Sequence, residues 1–278
     1  MENRTIPLEG TLNTRDLGGI RTRDGRTLRK GLLIRTDCLY RITQRDVETL
    51  FKEYHALYDV DFRNEDERRA RPEIPIPGCQ IVNLPITNDH NMGILPPPHK
   101  TYGIQEKRLL TLFDYIYCLS KEGDARKGME KSYRSYVSTP LGQQGYSSFL
   151  HLVLEAEGKG AVLFHCADGK DRAGIACYLL LKTLGVEDET ILEDYLLTNL
   201  SCKDKMAERR RHLLSYGVEE PLLSSSVMLA GVQENWLKAA MDEIETQYGG
   251  FDAYRRDKLH FSDAEQRRLQ DIYLENED

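Results

Sequence analysis

The chain has 278 residues, 40% hydrophobic and 30% charged, with a formal charge of −7, enough to bury a sizeable core in one domain or two. Its pI of about 5.6 argues against a nucleic-acid binder, whose phosphate contacts need a basic face, and against a polybasic membrane-surface protein. Six cysteines stand without CxxC pairs, which is neither a zinc pattern nor a disulfide framework.

From the start to about Asp37 the pattern reads as loops and short strands, with turn signals at Gly18-Gly19 and Asp24-Gly25. The opening MENRTIPLEG carries no apolar signal region, and no 18-residue apolar run occurs anywhere. A cytoplasmic chain without a transmembrane segment is expected, with secretion by a route that leaves no signal peptide still open. Thr43 and Asp46 form a capping-box-like pair, and Val47, Leu50, Phe51 and Tyr54 follow at helical spacing. The run Ala56 to Phe62 reads as a core strand. Open α/β sheets gather their functional loops beyond the carboxyl ends of parallel strands. The end of this strand, at Asp61–Arg63, therefore belongs near the strand that leads to Cys166.

Residues 71–98 are rich in proline and read as an extended connection holding one short strand, Gln80 to Ile86. Residues 104–139 read as helical with a break near Gly123 to Gly128. They form either an ordinary packed helix pair or a lid or wall over a site. Ser147 to Glu157 is a further helix, and Gly160 to Cys166 a buried strand. Arg172 to Leu184 is a helix apolar nearly all round, and so buried. From Asp188 onward the pattern is helical. Arg209, Arg210 and Arg211 read as a solvated helix face in preference to a substrate patch, and Ser262 with Glu265 is a capping box opening the last helix. The expectation is one α/β domain over residues 1–278. Its short, largely parallel sheet is flanked by helices, with extra helices near the site and 104–139 as a helical lid or insertion.

The chemistry concentrates in His165 to Gly174, HCADGKDRAG. Five residues separate Cys166 from Arg172 and wrap a tight loop between a strand and a helix start. Backbone N–H groups of such a loop, backed by the helix N-terminus, bind phosphate oxygens. Ala167, Asp168, Gly169 and Lys170 make that cradle, and Gly169 supplies the positive φ a loop this tight needs. Arg172 closes it with a bidentate grip on two phosphate oxygens. Lys170 reads as a second cation facing the substrate, or else as a solvent-exposed lysine. The positive surroundings favour the thiolate form of Cys166. In-line attack on phosphorus then gives a phosphocysteine, and water releases inorganic phosphate. This chemistry needs no metal and no cofactor; phosphate, sulfate or vanadate suits the same cradle. His165 either orients the loop and tunes the thiolate or is a hydrogen-bonded strand histidine. The other five cysteines read as small buried hydrophobes.

This segment resembles the HCxxGKDRxG signature of the bacterial atypical tyrosine-protein phosphatases of the triple-specificity kind. Asn13 to Ile20, Leu33 to Leu39, Asp59 to Arg68, Glu193 to Asn199 and Tyr248 to Glu265 are similar to further stretches of that family. The resemblance therefore runs along nearly the whole chain. It implies a cysteine-dependent phosphatase acting on phosphotyrosine, with phosphoserine, phosphothreonine and phosphoinositide monoesters open. The chain departs from the pattern at Thr14, where the family usually has an aromatic residue, and at Ala173, where threonine or serine is common. A hydroxyl there helps the thiolate leave in the second step. Its loss bears on the rate of that step and leaves the reaction type alone.

A general acid must protonate the leaving oxygen and then activate water. Asp171 is the first candidate, at a position where the resemblance implies an aspartate. Asp89, in a loop after the short strand, is the second, with Asp61, Asp37 or water behind them. The bland reading of Asp171 is a structural carboxylate paired with Arg15, Arg35 or Arg63; that of Asp89 is a turn residue. Two positive and two negative side chains in the loop favour phosphotyrosine over highly phosphorylated inositols. A phosphoinositide phosphatase, a rhodanese-like sulfurtransferase and a phosphopeptide-binding pseudo-enzyme are the competing functions. Arg172 at this spacing argues against the second, and the pairing of Cys166 with Arg172 against the third.

Overall fold

The computed structural model describes residues 4–88, 125–220 and 222–276. Its central sheet has five strands in the spatial order β1 (Arg15–Asp16), β3 (Leu33–Thr36), β6 (Val162–His165), β4 (Tyr58–Asp61) and β5 (Gln80–Asn83). Strands β3, β6, β4 and β5 run parallel, and β1 lies antiparallel on β3. A two-stranded ribbon, β2 (Thr27–Leu28) with β7 (Leu274–Glu275), ties the two ends of the chain together. The expected α/β class with a short, largely parallel sheet is the observed one.

Strand β6 is central, and all four of its residues are buried. A parallel strand covered on both faces has no polar alternation, which is why VLFH reads as one apolar run. Val162 and Phe164 join one core with Val60 and Phe62; Leu163 joins a second with Ile34. Helix α1 (Gln44–Lys52) closes the second core through Val47 and Leu50. A short α2 (Glu65–Ala70) follows β4. The first core is closed by α3 (Ala125–Ser138), α4 (Pro140–Ala156), α5 (Arg172–Leu184) and α6 (Asp188–Ser201). Beyond these come α7 (Lys203–Ser215), α8 (Leu222–Met228), α9 (Glu234–Tyr248), α10 (Phe251–Asp257) and α11 (Asp263–Tyr273). No helix among the described residues is long and apolar enough to cross a membrane.

Capping boxes form at Thr43–Asp46 and Ser262–Glu265, as the spacing implies. Helix α4 starts earlier than its apolar periodicity indicates. Thr139 accepts from the Gly142 N–H at 3.2 Å, and Pro140 holds the first helical position. The cap fixes that start, while the apolar stripe becomes continuous only from Tyr146. The break expected near Gly123 to Gly128 falls partly outside the described residues. Within them α3 runs through Gly128, held by a buried face of Met129, Tyr133, Tyr136 and Val137. Asp89 and residues 104–124 also lie outside the described residues. Arg210 and Arg211 are exposed, whereas Arg209 is half-buried with its guanidinium 3.4 Å from the Ser226 carbonyl.

One buried charge cluster fastens the N-terminal segment to α6. Asp194 lies 2.7 Å from Arg4, 3.0 Å from Arg15 and 3.4 Å from Arg35. Burial opposes its charge, yet the arginines hold the carboxyl well below the usual carboxylate range. Removing that charge leaves guanidinium groups uncompensated in the interior. Asp194→Asn is expected to cost about 3–5 kcal/mol, read as a lower midpoint in urea denaturation with an unchanged slope.

Candidate active site

Register sets the site. Thr36 and Asp61 pair on either side of His165, so three parallel strands end level. The segments leaving them meet at one edge, as expected for Asp61–Arg63. The chain continues from β6 through Cys166 into a loop and enters α5 at Arg172.

Four consecutive carbonyls of this loop are held from outside. Ala167 O accepts from the Cys38 N–H at 3.3 Å. Asp168 O and Gly169 O accept from Asn13 Nδ2 at 3.3 and 3.1 Å. Gly169 O and Lys170 O accept from Arg35 Nε and a terminal Arg35 nitrogen at 2.9 and 3.1 Å. In a trans peptide the N–H points opposite to its C=O. The amides of Asp168, Gly169, Lys170 and Asp171 therefore face the other way, into the loop, which is the arrangement an anion cradle needs. Gly169 is required twice over. Its φ is +63°, and a Cβ would lie 2.2 Å from Thr36 O. Gly174 serves packing, since a Cβ there would stand 3.1 Å from the Tyr195 ring.

Cys166 is buried beneath the loop, at 2% exposure. Arg172, also buried, is gripped end-on by Glu67, with NH1 to Oε2 at 2.6 Å and NH2 to Oε1 at 2.7 Å. Glu67 is itself fixed as the third residue of α2, where it completes a capping box with Asn64. Burial disfavours its charge, but Arg172 outweighs this and holds the carboxyl below its ordinary range. Sequence reasoning passed over Glu67. The available signal was the Asn64-x-x-Glu67 spacing, which marks a helix start just beyond β4.

Asp168 and Lys170 turn their side chains to partners outside the loop. Asp168 pairs with Lys205 of α7 at 2.6 Å. Lys170, read from the sequence as a cation facing substrate or solvent, is buried. Its Nζ donates to the carbonyls of Leu229 and Gly231 at 3.1 and 3.2 Å and lies 3.1 Å from Asp171 Oδ2. An ammonium has three protons to place, and these carbonyls offer close acceptors. Asp171 does not pair with Arg15, Arg35 or Arg63. Arg15 and Arg35 meet Asp194, and Arg63 meets Asp61 and Glu73. The partners of Asp171 are Lys170 and Tyr133, whose hydroxyl donates to Oδ1 at 2.8 Å.

Behind the loop, His165 is fully buried, with Nδ1 3.0 Å from the Cys166 carbonyl. Its Nε2 lies 3.0 Å from Asp59 Oδ1, out of line for a hydrogen bond. Asp59, Glu73 and His165 are ligand-type residues within 4.8 Å of one another. Arg63, paired with Asp61 and Glu73, already stands at this centre as its cation. Burial pushes the Glu73 carboxyl up to about 7. Burial opposes a charge on His165, but Asp59, Asp61 and Glu73 prevail and raise its pKa to about 10.

A strand-end cysteine thus lies under an inward-facing amide loop, and a clamped arginine opens the next helix. The tyrosine phosphatase family matches residues 6–275. A Cupriavidus necator protein whose name assigns it to the tyrosine-protein phosphatases is 28% identical over 258 residues, 92% of this chain and 84% of its own. The triple specificity protein phosphatase PtpB of Mycobacterium tuberculosis is 28% identical over 290 residues, 96% of this chain and 98% of its own. A tyrosine-protein phosphatase of Nostoc commune is 47% identical over 45 residues, 16% of this chain. The chain belongs to the tyrosine phosphatase family and is a protein-tyrosine phosphatase.

The His165 cluster makes stability pH-dependent. The imidazole carries its proton to about pH 10 when folded, against an ordinary 6.5. The native state therefore binds the extra proton across that interval. The stabilisation is complete below about pH 6.5 and is lost as pH rises to about 10. Thermal unfolding across this range is expected to show a falling Tm, and His165→Gln to flatten the slope.

Proposed function

We propose that this loop carries out metal-free hydrolysis of phosphotyrosine through a phosphocysteine. The supporting observation is the convergence of Cys166, the inward amides of Asp168 to Asp171 and the Glu67-held guanidinium of Arg172 on one loop. The cradle takes the phosphate oxygens, and Arg172, gripped at its terminal nitrogens by Glu67, keeps further N–H groups for them. The Cys166 thiolate attacks phosphorus, forming P–S as the ester P–O bond breaks. Asp171 gives its proton to the departing phenol oxygen. Asp171, now a carboxylate, takes a proton from water as that water attacks phosphorus, and P–S breaks to return thiolate and inorganic phosphate. At this second step Ala173 offers no hydroxyl to the leaving sulfur.

The loop, α2, α3 and the N-terminal segment act as one catalytic unit in this reading. The turning of Lys170 toward Leu229 and Gly231 leaves it no role as a second cation for a polyphosphorylated headgroup. That favours a monoester on a long aromatic side chain. Phosphoserine, phosphothreonine and phosphoinositide monoesters are the other outcomes of a substrate panel.

Hydrolysis of p-nitrophenyl phosphate is expected to resist EDTA, yield to vanadate and vanish in Cys166→Ser; activity surviving that substitution would sink the mechanism. Glu67→Gln keeps the shape but loses the charge that holds Arg172, and kcat/KM is expected to fall about tenfold or more.

A further inference from the structure

Asp171 occupies the N-cap position of α5, where an aspartate ordinarily accepts a hydrogen bond from the first helical turn. Here the backbone sits at φ −89° and ψ −79°, and the side chain makes no cap hydrogen bond. Its carboxylate is held instead by Tyr133 and by its neighbour Lys170. The Tyr133 hydroxyl on α3 donates to Oδ1 at 2.8 Å, and Lys170 Nζ stands 3.1 Å from Oδ2. Tyr133 has a second neighbour, the Tyr195 hydroxyl on α6, at 2.7 Å.

A phenol has one proton to give. Tyr133 spends it on the carboxylate, so Tyr195 must be the donor between the two tyrosines. The chain then has one direction, Tyr195 to Tyr133 to Asp171. Both tyrosines are buried, at 0% and 1% exposure. The Tyr133 ring packs on Tyr136, Tyr195 and Trp236 with centroids 5.6 to 6.3 Å apart. A side chain so enclosed cannot swing to follow a moving carboxylate; the carboxylate must come to it. The Asp171 side chain keeps 20% exposure, so part of it still faces the open side of the loop.

We propose that Tyr133 is a positioning residue for Asp171. Its hydroxyl ties Oδ1 and so fixes the orientation of the carboxyl group, and Tyr195 fixes which way the Tyr133 proton points. The inference rests on Asp171 being the general acid and adds how that acid is aimed. It also gives α3 a duty at the site that its buried aromatic face alone does not reveal.

The test is a double-mutant cycle of Tyr133→Phe with Asp171→Asn, read on phenyl phosphate, a poor leaving group, and on p-nitrophenyl phosphate, a good one. Tyr133→Phe is expected to lower kcat on phenyl phosphate about five- to tenfold with KM little changed, and to cost less on p-nitrophenyl phosphate. The limb of the pH–rate profile that Asp171→Asn abolishes should move to higher pH, since a donor to the charged carboxylate has gone. In the Asp171→Asn background Tyr133→Phe should change kcat by less than about twofold. Tyr195→Phe, which leaves the Tyr133–Asp171 contact in place, should give the same pattern more weakly. Multiplicative losses in the double variant, or an unmoved limb, overturn the proposal while leaving Asp171 as the acid. Wild-type kcat and an intact profile in Asp171→Asn overturn the acid assignment itself, and the positioning role with it.

Discussion

The site depends on a loop turned inside out by its neighbours. Carbonyls of Ala167 to Lys170 are claimed from outside by Cys38, Asn13 and Arg35, and planar peptide geometry then presents the amides inward. Arg35 cannot do this alone. It is fully buried, and a buried guanidinium without a counter-charge is unfavourable by several kcal/mol. Asp194 supplies that charge and in turn binds Arg15, whose NH1 donates to Asn13 Oδ1 at 2.8 Å. One ion cluster thus holds two of the three groups that claim the loop carbonyls, Asn13 and Arg35. The cradle itself needs few charged side chains, because its field comes from oriented amides and the start of α5.

Two further constraints act on the loop and the residue that follows it. Glu67 fixes the plane of the Arg172 guanidinium from a helix start beyond β4. In the sequence Lys170 reads as a cation facing substrate or solvent and Asp171 as the first candidate for the acid. In the fold they are struts, Lys170 to the segment before α9 and Asp171 to α3. The loop is thereby tied to helices on several sides, and the position of its carboxylate becomes a property of those helices.

What the sequence revealed follows from the range of each signal. Capping boxes at Thr43 and Ser262, the buried run of β6 and the span of α5 are written within a few residues, and they are where the pattern puts them. Cys166, Gly169 and Arg172 share one loop and were legible by spacing. Glu67 and Tyr133 were not, because their partners lie 105 and 38 residues away. Lys170 was misread toward substrate for the same reason. Its acceptors at Leu229 and Gly231 are 59 and 61 residues downstream, and a lysine's type says nothing of which carbonyls the fold will bring to it. The early start of α4 was missed through reliance on apolar periodicity over the Thr139–Pro140 cap.

The N-terminal segment has a consequence for how the enzyme comes into being. Arg4 meets Asp194 across 190 residues, Arg15 meets it across 179, and Asn13 reaches Gly169 across 156. Contacts of such separation form late, because the entropy of closing the long loops between them must be met first. A chain emerging during synthesis therefore carries its cysteine before it has a cradle, and the cradle waits for α6. The loop is thus a report on completed folding: Cys166 gains its setting only when the N-terminal segment and α6 have met.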